Sequence, residues 1–208
     1  MGGTLAATLK PQEKTLDGRD GFVVVFLAWV IASAHGALPY LLSHTLPLAD
    51  ALFESASGFT TTGATVLSNL ESQPRSILLW RSLTQWLGGM GILVFAIALM
   101  PVLGIGGMSL FRTEVPGPVA EKLAPRIVET ARRLWLIYLG FTALECLLLT
   151  LAGMPLFEAL CHSLTNAATG GFSTRDDSLR AFGSSAIEWI VIVFMMIVFV
   201  MIVFVMIV

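Results

Sequence analysis

The clearest chemistry in this sequence lies in Phe59-Thr60-Thr61-Thr62-Gly63-Ala64-Thr65, where hydroxyls crowd in front of a glycine. Threonine hydroxyls and backbone carbonyls are hard oxygen donors, suited to a cation that has shed its water. The segment stands between two apolar runs, on backbone that glycine and threonine do not favour as helix. At membrane depth, non-helical backbone is tolerated only where protein buries it or where it lines an aqueous cavity. The segment is therefore a candidate for oxygens facing a permeating cation. A second stretch, Ala168-Thr169-Gly170-Gly171-Phe172-Ser173-Thr174, has the same character.

The surrounding elements must hold these segments. Gly21 to Leu42 is an apolar run of 22 residues, enough to cross a core of about 30 Å at roughly 1.5 Å per residue. His35 near its end reads as an interfacial or packed histidine. Leu48 to Phe59, with Asp50 as a candidate N-cap, is too short to span and suits a half-helix ending at mid-membrane. Such a helix aims its C-terminal carbonyls inward, which favours a cation. Glu54 either faces that cation or pairs with a neighbour; the sequence leaves both open. Ser76 to Leu103 is a second long run, with Trp80-Arg81 and Gln85-Trp86 read as an interfacial belt. Its Gly88-Gly89-Met90-Gly91 reads as a close-packing stripe. Arg81 either snorkels or pairs with Glu54 or Glu71. Leu134 to Leu151, Leu156 to Ala167 and Ile187 to Val208 complete the pattern.

Composition narrows the classes. The 208 residues are 56% hydrophobic and 12% charged, with a mean hydropathy of +0.83. Soluble domains carry about 25% charged residues, so this is a membrane protein. A net charge of −2 with scattered basic residues excludes a nucleic-acid binder. Cys146 and Cys161 read as small buried hydrophobes. No signal peptide is evident in Met1 to Asp20. His35, His44 and His162 lack metal-ligand spacing, no G-x-S-x-G is present, and Gly104-Ile105-Gly106-Gly107 follows no strand. No enzyme is expected.

Orientation follows from charge. Lys10, Lys14, Arg19, Arg112, Lys122, Arg126, Arg132 and Arg133 fall on one side; Arg75, Arg81, Arg175 and Arg180 fall on the other. The first side is cytoplasmic by the positive-inside rule, and both short helices enter from outside. The order span, short helix, glycine segment, span then occurs twice. At an offset of 108 residues Gly63 meets Gly171, Thr61 meets Thr169, Thr65 meets Ser173 and Ala51 meets Ala159. Parallel repeats of this kind suit a ring about the membrane normal.

The stretches "ALFESASGFTTTGAT", "QWLGGMGILVFAIALMPVLGIGGM", "RTEVPGPVAEKLAPRIVETA", "LWLIYLGF" and "ATGGFST" closely resemble the TrkH membrane subunits of bacterial Trk potassium-uptake systems, within the Trk/Ktr/HKT superfamily. The resemblance covers about Asp20 to Trp189. It implies an all-α membrane protein with two tandem helix–pore-loop–helix (M1-P-M2) repeats of a pseudo-fourfold, potassium-channel-like fold. Residues 1–20 would be a cytoplasmic lead-in, 21–107 the first repeat, 108–133 a cytoplasmic connector and 134–208 the second repeat. The filter oxygens for K+ would come from Thr61, Thr62 and Gly63, and from Thr169, Gly170 and Gly171. Gly63, where sodium-preferring relatives resemble a serine variant, points to potassium. No organic cofactor is implied; the partners would be potassium, membrane lipid, a second copy in a homodimer and a cytosolic TrkA-like nucleotide-binding regulatory subunit. The location would be the bacterial inner membrane. The alternative is a non-conducting scaffold or remnant that only associates with partners. Two repeats of four, and the five-residue repetition in Met196 to Val208, read as a truncated product that does not conduct alone.

Overall fold

The computed structural model describes the backbone of residues 18–103 and 120–207, and the side chains of 22–91, 129 and 131–201. Seven α-helices follow one another among the described residues: α1 (Gly18–Gly36), α2 (Leu38–Leu42), α3 (Leu48–Phe59), α4 (Arg75–Leu103), α5 (Ala120–Leu151), α6 (Leu156–Ala167) and α7 (Ser185–Ile207). There is no strand among the described residues. Phe22–Leu42 and Ala131–Leu151, 21 residues each with mean hydropathy 1.9, are long and apolar enough to cross a membrane.

The two short helices start alike. Each follows a proline in extended conformation, Pro47 or Pro155. That residue's carbonyl accepts the first helical bond, from Ala51 N–H at 2.8 Å and from Ala159 N–H at 2.9 Å. Asp50 is thus not the N-cap: it lies in the first turn of α3. Its carboxylate is favoured there by the helix dipole, as is that of Glu158 at the matching place in α6.

Packing follows the repeat. Helix α3 lies against α1 and α4, while α6 lies against α5, α7 and α4. Beyond α3 the chain turns back, and Leu67 and Leu70 join Ala51, Tyr40, Ile77 and Leu78 in one buried cluster. Leu149, Met154, Ala159, Ile187 and Val191 make the equivalent cluster of the second repeat. Between them Met90, Leu134, Tyr138 and Ala167 join α4 to α5 and α6. Large apolar side chains on α1, α5 and α7, such as Phe26, Leu136 and Phe199, point away from the protein, as lipid-facing residues do.

Helix α4 touches both short helices because glycine lets it. A Cβ on Gly88 would overlap the Phe59 carbonyl oxygen, and one on Gly89 would meet Ala168, whereas one on Gly140 would meet nothing within 4 Å among the described residues. Gly88→Ala should therefore lower thermal stability in detergent by about 1–3 kcal/mol through overpacking. Gly140→Ala should leave it unchanged or raise it by about 0.5–1 kcal/mol.

The structure adds to two of the segments read from sequence, the connector and the tail, and corrects a third, the belt. The connector assigned to 108–133 is helical from Ala120 and continuous with the span; Lys, Glu, Ala and Arg favour helix there, and Arg133 pairs with Glu129 one turn away. The rest of the connector, including Arg112, lies outside the described residues. The belt assigned to Trp80-Arg81 and Gln85-Trp86 faces inward. Trp80 Nε1 donates to the Gly36 carbonyl at 2.9 Å, Trp86 Nε1 donates to Thr142 Oγ1 at 3.0 Å, and Arg81 and Gln85 are buried. Internal acceptors outcompete the interface. The repetitive tail is helical to Ile207; ahead of it Ile187, Val191 and Phe194 are buried at the spacing of one helical stripe, and Val198 continues that stripe into the tail.

Candidate ion site

Both glycine segments adopt the same unusual backbone. Thr61 (φ 54°) and Gly63 (φ 75°) are left-handed, and so are Thr169 (φ 52°) and Gly171 (φ 88°), at the 108-residue offset. A β-branched residue there is a true outlier, costing roughly 1–2 kcal/mol. The helix ends impose it. Thr61 N–H donates to the Gly58 carbonyl at 2.9 Å and Thr62 N–H to Ser57 at 3.0 Å. In the second repeat Thr169 N–H donates to Asn166 at 2.8 Å and Gly170 N–H to Thr165 at 2.9 Å. These are paired Schellman caps, with threonine where glycine is usual.

Alternating handedness turns over every second peptide, so carbonyls that would point to opposite sides of an extended chain point to one side. Among the described residues no group donates to the carbonyls of Thr61, Thr62, Gly63, Thr169, Gly170 or Gly171. The next carbonyl in each strand is turned back instead. Ser57 Oγ donates to Ala64 O at 2.5 Å, and Thr165 Oγ1 to Phe172 O at 3.0 Å. The two strands meet, since a Cβ on Gly63 would overlap the Gly170 carbonyl oxygen. All six residues picked from sequence thus sit on two like strands with free oxygens. Thr165 and Phe172 are buried, so Thr165→Val should leave an orphaned carbonyl and destabilise by about 1–3 kcal/mol. Ser57→Ala should cost less, since Ala64 is exposed; thermal unfolding of both variants checks the order.

A buried polar network backs the strands. Glu54 and Arg81 are 0% and 1% exposed and pair at 2.7 Å through Arg81 Nε. This decides both alternatives left open by the sequence: Glu54 is paired, and Arg81 pairs with Glu54, neither snorkelling nor reaching Glu71. Glu54 also accepts bonds from Thr65 Oγ1 at 2.8 Å and Val66 N–H at 3.1 Å. Arg81 spends its other nitrogens on Thr65 Oγ1 and the Ser173 carbonyl, both at 3.0 Å. In the second repeat His162 stands where Glu54 stands in the first, with Nε2 and Ser173 Oγ 3.2 Å apart.

Several contributors escaped the sequence. Gln85 Oε1 accepts Phe172 N–H at 3.1 Å; a lone amide in an apolar run was its signal. Asn166 Nδ2 donates to the buried Glu145 at 2.6 Å and to the Val191 carbonyl at 3.1 Å, tying the end of α6 to α5 and α7. At the other end of α6, Arg175 pairs with Glu158, whose hydrogen bond raises the Arg175 pKa. The loops that follow the two strands are also joined, with Leu70 N–H donating to Asp176 Oδ1 at 3.1 Å. His35 only bonds the Ile31 carbonyl one turn back, and both cysteines are free thiols.

Among the described residues no group of three or more His, Cys, Asp or Glu could hold a metal ion. A cation between the strands would meet carbonyl and hydroxyl oxygens and the C-terminal dipole ends of α3 and α6. Glu54 and Arg81, which back the strands, offset one another's charge. Such a site suits a monovalent cation exchanging water for neutral oxygens.

Residues 1–207 match the TrkH family, described as cation transport protein. The chain belongs to that family. It is 50% identical over 183 residues to the Trk system potassium uptake protein TrkH of Salmonella typhimurium, covering 86% of this chain and 38% of that protein. It is 42% identical over 195 residues to the Trk system potassium uptake protein TrkG of Escherichia coli, covering 91% of this chain and 40% of that protein. Its fold resembles the crystal structure of the potassium transporter TrkH from Vibrio parahaemolyticus, with a TM-score of 0.74 and 45% identity, covering 89% of this chain and 36% of that one. The chain therefore spans under half the length of these relatives. It is a helical protein of a membrane-transporter family whose named relatives take up potassium.

Proposed function

We propose that this chain supplies two adjacent strands of a potassium-selective filter, Thr61–Gly63 and Thr169–Gly171, within a pore of four such strands. The observation that carries the reading is the repeated alternation of φ at Thr61, Gly63, Thr169 and Gly171, which leaves six carbonyls free on strands that touch. Potassium is the ion because the relatives are named for its uptake and because Gly63 has no side chain to narrow the path. The helices α1, α4, α5 and α7 would sit in the bacterial inner membrane with lipid against their apolar faces and the N-terminus in the cytoplasm. The connector, residues 108–133, is then the surface for a cytosolic TrkA-like regulatory subunit, and a second copy would complete a dimer.

Two strands border only part of a fourfold path, so conduction requires the rest of the ring. The test is a chimera in which Asp20–Trp189 of this chain replaces the matching segment of the Salmonella typhimurium relative. Expressed in cells lacking potassium uptake, it should restore rubidium uptake. The 208-residue chain alone in liposomes should pass no more rubidium than empty vesicles. A folded chimera without uptake would favour the non-conducting scaffold.

A further inference from the structure

We propose that Arg81 and Gln85, one turn apart on α4, are positioning residues that fix the spacing between the two strands and thereby the preference for potassium over sodium. This rests on the filter reading above.

Spacing i, i+4 puts both side chains on one face of α4. That face reaches out of its own repeat into the next. Every polar and aromatic handle of Phe172 is held: its N–H by Gln85 Oε1 at 3.1 Å, its carbonyl by Thr165, and its ring by the Arg81 guanidinium carbon 4.2 Å from the centroid. Arg81 also takes the Ser173 carbonyl while anchored to Glu54 and Thr65 of the first repeat. One guanidinium thus joins the backs of both strands. Gln85 is wedged at their meeting point, since a Cβ on Gly170 would overlap it and its Nε2 lies 3.7 Å from where a Cβ on Gly63 would stand. That buried Nε2 has no hydrogen-bond partner. A buried amide held with both N–H donors unspent is costly, so stability alone does not account for glutamine here.

The arrangement runs one way. The described side chains of α7, Ser185 to Met201, include Ser185 and Glu188 at its start and are otherwise apolar or tryptophan. It has no arginine–glutamine pair with which to grip a following strand in the same manner. The first repeat therefore positions the second, and the spacing between Gly63 and Gly170 is set locally by α4.

The test uses the chimera described above, with rubidium uptake measured against rising sodium and the folded fraction read from the detergent-extracted elution profile. Gln85→Leu keeps the volume and removes the bond to Phe172 N–H. Arg81→Lys keeps the charge and removes the planar fork. Each should remain folded and conducting, with the potassium-over-sodium ratio lowered about five- to tenfold, the worth of one hydrogen bond. Gln85→Asn, which retains the amide, should fall between Gln85→Leu and the unsubstituted chimera. Folded variants with an unchanged ratio would overturn the inference, and so would failure of both main variants to fold, because a purely structural role predicts that. If the unsubstituted chimera itself shows no potassium preference, the filter reading fails, and this inference with it.

Discussion

Replacing Gly63 by serine should lower potassium-over-sodium preference in the chimera by at least about tenfold. Two separate costs fall on that position. Its φ of +75° is left-handed, which costs a residue with a Cβ roughly 1–2 kcal/mol, and about 1.4 kcal/mol is a factor of ten. The new Cβ would also overlap the Gly170 carbonyl oxygen, which is backbone and moves only with the whole second strand. Relief of that overlap must spread the strands or turn a carbonyl away. Gly171→Ser separates the two costs in the 208-residue chain. Its φ of +88° brings a similar conformational cost, but among the described residues nothing lies within 4 Å of its Cβ position. The thermal unfolding midpoint of the chain in detergent should therefore fall further for Gly63→Ser than for Gly171→Ser. Sodium competition against rubidium uptake by the Gly63→Ser chimera measures the preference, and an unchanged ratio would show that contact between the strands does not matter.

Glu54→Ala should be among the most destabilising single changes in the first repeat. It strands the Arg81 guanidinium, 1% exposed, without its counter-charge, and breaking a buried pair from one side costs about 3–5 kcal/mol. Val66 N–H and Thr65 Oγ1 lose their acceptor as well. Removing both charges, as in the Glu54→Met, Arg81→Met double variant, should recover part of the loss because no lone charge remains buried. Thermal unfolding of the 208-residue chain in detergent, run as a double-mutant cycle, gives the coupling directly. Additive losses would mean that the pair is only a neighbourly contact.

Much of this framework was legible in linear sequence, for physical reasons. The short helices could be bounded at Leu48–Phe59 and Leu156–Ala167 because proline precedes each and a threonine–glycine segment follows. The 108-residue offset then located the second strand from the first. Partnerships across the fold were not legible. Glu54 and Arg81 are 27 residues apart, and only the return of the strand beside α3 brings Thr65 and Val66 to the same carboxylate. Trp80 and Gln85 have the composition of an interface, yet acceptors at Gly36 and donors at Phe172 lie inside the protein. Gln85 and Asn166 are single amides in apolar runs, and a lone amide does not say what it bonds. The offset did hold a further clue, because it aligns Glu54 with His162 and Thr65 with Ser173, marking one polar site in each repeat.

The central claim is that Thr61–Gly63 and Thr169–Gly171 together line an ion path, and density for a heavy potassium substitute tests it most directly. Crystals of the chimera grown in thallium or rubidium salts should show an anomalous peak bounded by the free carbonyls of these six residues, diminished in Gly63→Ser. A well-ordered structure with both strands in place, and heavy-ion peaks only elsewhere, would contradict the account.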